Sequence, residues 1–284
     1  MNVTSPRSWA DLPEGEAGDL AGVLTDIDDT LTTEGAITPD ALGALAQLKA
    51  AGLPVFAITG RPMGWSRPFM RPLDQGGWPL EAIVAENGAV ALFRDHATQA
   101  LTIEYAQDDA TRAANAARLR AVAARVLREV PGSTLAADSA GRVTDIAVDH
   151  SEFAFLNEKQ IAAVVAVMAS ENMNASVSSI HVNGWFGAHT KLSGAAWIVQ
   201  RLLGTPLDAA RWAYVGDSTN DQAMFGHFPL SVGVANLMRF KATLTVWPRY
   251  LTEGARGAGF AEVARTLLTR RRAAARPNRP AARS

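Results

Sequence analysis

The stretch AGVLTDIDDTLTTEG, residues 21–35, joins an apolar run to a cluster of acidic and hydroxyl side chains. Asp26, Asp28, Asp29 and Thr30 follow a segment that reads as a buried strand. Carboxylates this close together repel one another unless a cation or a proton lies between them. The stretch is therefore either an acidic turn or a site for a divalent metal and phosphate chemistry.

The residues around this stretch predict a strand, a helix and a second strand. LAGVLTDI, residues 20–27, and LPVFAI, residues 53–58, read as two buried strands. Between them Thr38 is a suitable N-cap, Pro39 suits the first helical position, and Gly52 suits the residue after the helix. The apolar stripe of this helix consists of Leu42, Leu45 and Leu48. Such a βαβ unit implies parallel pairing, so the sequence predicts an α/β fold with a Rossmann-like, doubly wound sheet.

The pattern changes in the middle of the chain, where shorter apolar runs alternate with polar residues and two helical segments separate them. This pattern predicts an inserted α+β module whose sheet is open on one face. The predicted organisation is a leader (1–18), a core (19–88 and 187–268), a cap (89–186) and a disordered basic tail (269–284).

Composition excludes several classes of site. The chain has 284 residues, of which 48% are hydrophobic and 19% charged, and it has no cysteine. Disulfides, thiolate zinc sites and thiol nucleophiles are therefore excluded, and the composition suits a reducing, cytoplasmic location. No signal peptide and no run of roughly 20 apolar residues is evident, so no membrane contact is expected.

The charge of the chain is unevenly distributed. Residues 270–284 contain six arginines and no acid, whereas the rest carries 21 basic and 28 acidic residues. Such a tail could attract nucleic acid or anionic lipid. Because no aromatic residue interleaves with the arginines, a solubilising tail is favoured over a nucleic-acid partner.

Polar residues follow three of the predicted strands, where open α/β sheets bind ligands. These are the acidic stretch itself, Thr59-Gly60-Arg61, and GDSTND at residues 216–221. Lys191 opens a helix, where the dipole disfavours a cation by about 0.3–1 kcal/mol, which indicates an anionic partner. Each signal alone also fits an ordinary turn or a solvated charge. Their combination at element ends that the fold would bring together indicates one site.

This combination resembles the haloacid dehalogenase superfamily of phosphohydrolases, over about residues 19–88 and 187–265. The resemblance implies that Asp26 is the nucleophile, forming an aspartyl-phosphate, and that Asp28 is the general acid and base. It further implies phosphoryl binding by Thr59, Gly60, Lys191 and Asn220. The implied Mg²⁺ ligands are Asp26, Asp28 through its backbone carbonyl, Asp217 and Asp221.

The resemblance also narrows the reaction. Relatives that dehalogenate or pump ions lack an acid at the position of Asp28, so phosphate-ester hydrolysis or phosphomutation is favoured. The position of the cap is similar to type IIB members (the Cof-like, sucrose-phosphatase-like and phosphomannomutase-like subgroup). The sequence departs from many members of this subgroup at two positions. Many members have Gly at the position of Asp29, and many carry an acidic residue near the position of His181.

Substrate contacts are expected from residues beside the predicted site. Arg61 and Asn87 lie at strand ends of the core, and His181, Asn183 and Trp185 lie on the strand that returns from the cap. A sugar could stack on Trp185 and hydrogen-bond to Asn183, or Trp185 could pack inside the cap with His181 on its sheet.

The expected function is a Mg²⁺-dependent phosphatase of a small phosphorylated metabolite, either a sugar phosphate or a glycosyl-glycerate phosphate. A hexose-phosphate phosphomutase shares the first step and stays open as an alternative. A regulatory protein that binds a phosphosugar is a third possibility, although binding alone requires no acid/base partner such as Asp28. The sequence carries no prediction of oligomeric state.

Overall fold

A computed structural model describes residues 5–95 and 97–274 of the chain. Within them, nine strands form one sheet in the order β1-β15-β14-β13-β2-β5-β6-β7-β8, and four form a second sheet in the order β11-β12-β10-β9. The strands are β1 (Arg7–Ser8), β2 (Gly22–Thr25), β3 (Thr32–Thr33), β4 (Ala36–Ile37), β5 (Val55–Ile58), β6 (Ala82–Ala85), β7 (Val90–Arg94), β8 (Leu101–Tyr105), β9 (Thr134–Leu135), β10 (Asp145–Asp149), β11 (Asn174–Val177), β12 (His181–Trp185), β13 (Trp212–Gly216), β14 (Leu230–Gly233) and β15 (Tyr250–Leu251). The α-helices are α1 (Pro39–Ala50), α2 (Met63–Ser66), α3 (Asp109–Glu129), α4 (Glu158–Ser170), α5 (Lys191–Leu203), α6 (Gln222–His227) and α7 (Arg256–Ala274).

The large sheet is parallel from β1 across to β6. Its central strands are buried on both faces between two apolar clusters, as expected for a doubly wound sheet. In the register, Thr25 at the end of β2 lies between Val215 of β13 and Ala57 of β5. The carboxyl ends of these three strands therefore meet at one edge, which confirms the predicted fold class.

The boundary predicted between core and cap at residue 89 is wrong. Strands β7 and β8 continue the large sheet as an antiparallel hairpin beyond β6, so they belong to the core. The first helix of the cap is α3, which begins at Asp109. The alternating pattern was assigned to the cap because an antiparallel hairpin at the edge of a mixed sheet has the same apolar–polar periodicity as a cap strand.

The cap itself is an α+β unit, as the sequence predicts. Its four strands are antiparallel, and α3 and α4 pack on one face of the sheet around Val126, Val148, Val164 and Met168. A capping box between Asn157 and Gln160 begins α4. The apolar faces of both helices are thereby buried within the cap.

The leader predicted for residues 1–18 is part of the core where the structure describes it. Trp9 is fully buried with its ring against the edge of Tyr250, and β1 pairs with β15. Residues 1–4 lie outside the described range. A polar sequence around a single tryptophan conceals this packing, since one aromatic side chain can bury a large area without any periodic pattern.

The tail predicted for residues 269–284 is helical as far as Ala274, because α7 continues to that residue. Arg270 donates to the carbonyl of Leu12 and Arg271 to that of Leu20, so these two arginines hold the N-terminal segment. Residues 275–284, on which the remaining prediction of disorder falls, lie outside the described residues.

The apolar stripe predicted for α1 is only partly correct. In α1, Leu45 and Leu48 are fully buried, but Leu42 is 37% exposed and Ala41 occupies the buried position instead. The predicted ends of α1 are correct, with Pro39 first and Gly52 at positive φ after the last turn.

Among the residues that the structure describes, none of the helices has the length and apolar character needed to cross a membrane.

Candidate active site

Three buried carboxylates meet at the carboxyl edge of the large sheet. Asp26 follows β2, Asp217 follows β13, and Asp221 lies in the short 3-10 turn after it. One oxygen from each of the three lies within 4.8 Å of the others. The backbone N–H of Asp26 donates to the carbonyl of Val215 at 2.9 Å, which fixes the two loops against each other. The structure thus brings together residues that are far apart in sequence.

Lys191 supplies a positive charge to this cluster. It is the first residue of α5, and Thr190 caps the helix by accepting from Ser193 N–H. The ammonium of Lys191 is buried and lies 2.8 Å from Asp26 Oδ1 and 2.8 Å from Asp221 Oδ1. Two carboxylates therefore offset the unfavourable position of a cation at a helix N-terminus.

Asp221 has its acceptor positions occupied by protein donors. Oδ1 accepts from Lys191 and from the hydroxyl of Tyr214 at 2.5 Å. Oδ2 accepts from the backbone N–H groups of Asp217 and Ser218 at 2.9 and 3.1 Å. A carboxylate with four such bonds has little remaining capacity to bind a cation directly. Its geometry is that of a residue that positions Lys191 and the loop at Asp217.

Asp217 differs from Asp221 in leaving one oxygen free. Its Oδ2 accepts from Asn236 Nδ2 and from an Nη of Arg239, both at 3.0 Å. Its Oδ1 is buried and has no hydrogen-bond partner within the described part of the chain. Because an unpartnered buried carboxylate oxygen is costly, this atom is suited to a bound cation.

The pKa values show how unfavourable the concentrated negative charge is. Burial raises the pKa of Asp26 to about 7, against the opposing effect of Lys191. Burial, together with Asp26 and Asp221, raises the pKa of Asp217 well above its usual range. Burial alone would lower the pKa of Lys191, but Asp221 and Asp26 raise it, so the lysine stays charged. Lys191 and the partly exposed Arg239 together bring two cations to three carboxylates, so negative charge remains in excess. An all-oxygen donor set with this charge suits a hard divalent cation such as Mg²⁺.

Asp28 lies outside this carboxylate cluster. Its two oxygens accept from Arg61 Nε at 3.0 Å each. The same guanidinium extends into the cap, where its Nη atoms lie 3.1 Å from Asp138 and 2.8 Å from Glu152, and it covers the ring of Trp65. Asp28 is therefore fixed in orientation by an arginine that cap residues hold in turn.

The predicted phosphoryl-binding residues have different environments. The hydroxyl oxygen of buried Thr59 accepts from Arg61 N–H at 3.0 Å, which leaves its own O–H as a donor. The carbonyl of Gly60 accepts from cap residues Arg142 and Asn183. Asn220 accepts from Ser218 Oγ at 2.8 Å and is not tied to the carboxylate cluster by any hydrogen bond among the described residues.

Most of the predicted substrate residues lie at the interface where the cap packs on the core, which we call the seam. Asn183 donates to Asp145 at 3.2 Å, and Asn87 lies 3.4 Å from the same oxygen. His181 contacts Glu152 at 2.9 Å. Trp185 donates to the carbonyl of His189 and stacks on its ring. The indole is buried and does not line the cavity beside Asp28, so the structure does not bring Trp185 to the site.

Sequence reasoning missed the residues that close this seam. Glu86 is fully buried and its carboxylate accepts from the N–H groups of Val143 and Thr144 in the cap. Arg142 reaches back to Gly60 and also pairs with Asp145. An ENG tripeptide or an arginine in a loop gives no local signal of such pairing. Asn236 was detectable in principle, because it follows the end of β14 at the same edge of the sheet.

A cavity of about 730 Å³ opens beside this seam. Asp28 and Arg61 lie at its inner side, and Glu152 and Phe153 line it from the cap. Phe153 is 73% exposed at this opening. The volume is suited to a small metabolite.

We expect the melting temperature of the metal-free protein to fall as pH rises from about 5 to 8. Asp26 and Asp217 have raised pKa values, so the folded state binds more protons than the unfolded state between the unfolded pKa, near 4, and the folded one, about 7 for Asp26. Stability is therefore lost as pH rises through this window. Mg²⁺ should oppose the loss and raise the melting temperature most at pH 8, by on the order of 5 °C.

Differential scanning calorimetry with EDTA or with millimolar MgCl₂ measures both effects. The variant Asp217→Asn is the matched control, because it removes one charge and one ligand together. It should melt higher than the unchanged protein in EDTA and lose the response to Mg²⁺. A response to Mg²⁺ that is independent of pH and survives in Asp217→Asn would contradict this account of the cluster.

Part of the chain matches a family model, and its fold is similar to that of several solved structures. Residues 23–127 match the family model of haloacid dehalogenase-like hydrolases. A search of the curated proteins finds no match to the sequence. Solved structures share the fold at low identity. A Thermoplasma acidophilum protein is 14% identical with a TM-score of 0.66, covering 88% of this chain and 98% of its own. The sucrose-phosphatase from Synechocystis sp. has the same identity and coverage with a TM-score of 0.60.

A sugar phosphatase of haloacid dehalogenase subclass IIB is 16% identical with a TM-score of 0.58, covering 86% of this chain and 98% of its own. The family match covers residues 23–127, and the likeness in fold to these solved structures extends over both core and cap.

Proposed function

We propose that the chain is a Mg²⁺-dependent phosphatase that hydrolyses a small phosphorylated metabolite, a sugar phosphate or a glycosyl-glycerate phosphate. One observation carries the proposal: Asp26 and Asp217 lie in a buried carboxylate cluster with Lys191, and an oxygen of Asp217 lacks a protein partner among the described residues. The sugar phosphatases with the same fold support a phosphorylated sugar as substrate.

In the first step, Asp26 attacks phosphorus through a carboxylate oxygen. The new P–O bond forms an aspartyl-phosphate as the bond to the leaving alkoxide breaks. Asp28 gives its proton to that alkoxide and later removes a proton from the water that hydrolyses the intermediate. Arg61 contacts Oδ1 of Asp28 through both Nε and an Nη and contacts Oδ2 through Nε, so Oδ2 retains an acceptor site that can carry the proton.

The phosphoryl group is held by donors that the protein has left free. Lys191 has three N–H groups and uses two of them on Asp26 and Asp221, which leaves one for a phosphoryl oxygen. The hydroxyl of Thr59 is a further donor on the neighbouring strand end. Such preorganised donors stabilise charge that develops in the transition state.

Mg²⁺ would be held by Asp26 and by the free oxygen of Asp217, with Asp28 contributing its carbonyl, and it supplies Lewis-acid neutralisation of the phosphate charge. Asp221 was expected to be a further ligand. With four protein donors on its carboxylate, we assign it the role of positioning Lys191 and the loop that carries Asp217.

A panel of phosphorylated metabolites tests the proposal. We expect release of inorganic phosphate from at least one sugar or glycerate ester in MgCl₂, and none above background in EDTA. Glucose 1-phosphate is followed for both free phosphate and the 6-phosphate isomer. Accumulation of the isomer without free phosphate would instead identify a phosphomutase, and equal rates in EDTA would contradict the metal dependence.

A further inference from the structure

Asp29 departs from the turn glycine of many relatives, and the structure shows what it contacts. Its backbone is in the left-handed region, with φ of 55°. Its carboxylate lies 2.9 Å from an Nη of Arg239 and 3.1 Å from Nε of Arg256. All three residues line the cavity beside Asp28. The extra acid thus holds two guanidinium groups at the core side of the cavity.

Both the charge and the backbone conformation of Arg256 are unfavourable at its position. It is the first residue of α7, where the helix dipole disfavours a cation, and its φ of 54° is rare for a residue with a side chain. Its N–H donates to Asn236 Oδ1 at 2.8 Å, which fixes the backbone. Its two Nη groups have no partner in the described chain, and the side chain is one-third exposed. They are free to bind an anion.

Arg239 is held close to the proposed reaction centre. One Nη lies 2.9 Å from Asp29 and 3.0 Å from Asp217, so the guanidinium connects the cavity to the carboxylate cluster. Its guanidinium also lies 4.8 Å from the centre of the Phe240 ring, while its other Nη and its Nε have no hydrogen-bond acceptor among the described residues. The side chain is 37% exposed. The two arginines together offer a bidentate surface typical of carboxylate or phosphate binding.

The acids near this pair leave several N–H groups of the two guanidinium groups unused. Asp28 and Glu152 both pair with Arg61. Arg239 and Arg256 share the carboxylate of Asp29, and Arg239 also contacts Asp217. Glu34 lines the cavity at the exposed turn between β3 and β4. The pair therefore offers an anion its unused hydrogen-bond donors, not an excess of positive charge.

We propose that Arg256 and Arg239 form a subsite for a second anionic group of the substrate, a carboxylate or a second phosphate, separate from the phosphoryl group that is transferred. This inference rests on the proposed phosphatase function and narrows its substrate class to phosphate esters that carry another negative charge. Asp29 positions the two guanidinium groups for that contact.

Binding to the Mg²⁺-loaded Asp26→Asn protein tests the subsite without turnover. Calorimetry compares 3-phosphoglycerate with glycerol 1-phosphate, which has a hydroxymethyl group in place of the carboxylate. It also compares fructose 1,6-bisphosphate with fructose 6-phosphate, so that the two pairs separate a carboxylate from a second phosphate. In at least one pair, we expect the dissociation constant to be about tenfold to hundredfold lower for the ester that carries the second anionic group.

In Arg256→Gln, the ratio of the two dissociation constants within a pair should fall to about threefold or less. Arg256→Lys should restore part of this ratio because the charge remains. Arg128→Gln, on the exposed surface of α3, is the matched control and should keep the full preference. KM values of the unmutated enzyme for the same pairs provide a second measurement.

Equal affinities within both pairs, no binding of any of the four esters, or a preference that survives Arg256→Gln would overturn the subsite. The proposed function fails separately, if the unmutated protein hydrolyses no ester in MgCl₂.

Discussion

Replacing Asp26 with Asn should lower Mg²⁺-dependent hydrolysis of an aryl phosphate by about 10⁴-fold or more. The amide cannot attack phosphorus as a carboxylate does. The protein should nevertheless fold, because the change removes one of three carboxylates that crowd the site. Its melting temperature in EDTA should equal or exceed that of the unchanged protein. Steady-state kinetics and calorimetry on the same preparation measure the two effects.

Asp74→Asn is the matched control for this substitution, since Asp74 is an exposed residue of a surface turn. It should keep the original rate within about twofold, as surface substitutions usually have small effects. If Asp26→Asn retained more than a tenth of the rate, Asp26 would not be the nucleophile and the mechanism would have to be rejected.

Replacing Lys191 with Met should reduce both activity and stability. The ammonium is buried between Asp26 and Asp221, and its loss leaves two carboxylates without their cation. Breaking a buried ion pair from one side costs about 3–5 kcal/mol in the free energy of unfolding. The rate should also fall by on the order of 10³-fold, because a donor to the phosphoryl group is lost. Urea unfolding and initial rates measure these losses.

Lys49→Met provides the comparison, because Lys49 pairs with Glu81 at the surface with 41% of its side chain exposed. Such a pair is worth at most about 1 kcal/mol. Adding Mg²⁺ should recover part of the stability of Lys191→Met and none of that of Lys49→Met. Equal losses of stability in the two variants would contradict the description of Lys191 as the central cation of the site.

The sequence could predict the positions of Asp26, Asp217 and Lys191 because local rules set them. Asp26 and Asp217 follow buried strands, and parallel strands bring their carboxyl ends to one edge. Lys191 follows a capping threonine, so its place at the start of a helix is readable from neighbouring residues. Buried strands and capped helix starts are short-range patterns, and the parallel order of the strands then brings their carboxyl ends together.

The parts that could not be predicted depend on how cap and core are oriented. The sequence predicts substrate contacts for Asn183 and Trp185 because they lie shortly before Lys191. In the structure they donate instead to the carbonyls of Gly60 and His189. Tyr214 lies inside a buried strand that reads as purely apolar, and its hydroxyl bond to Asp221 appears only in three dimensions. Side-chain contacts between distant segments leave no periodic signal in either segment.

The seam between cap and core has a consequence for how such enzymes diversify. Glu86 binds cap backbone, Arg142 binds the carbonyl of Gly60, and Gly141 packs directly against Gly64 without room for a side chain on either. The cap is contiguous in sequence, but its anchoring points are divided between two segments of the core and two of the cap. A chimaera that exchanged only the cap would take from the buried Glu86 carboxylate its donors at Val143 and Thr144. We therefore expect recombination between relatives to preserve the fold best when the loops around Gly60 and Glu86 are exchanged together with the cap.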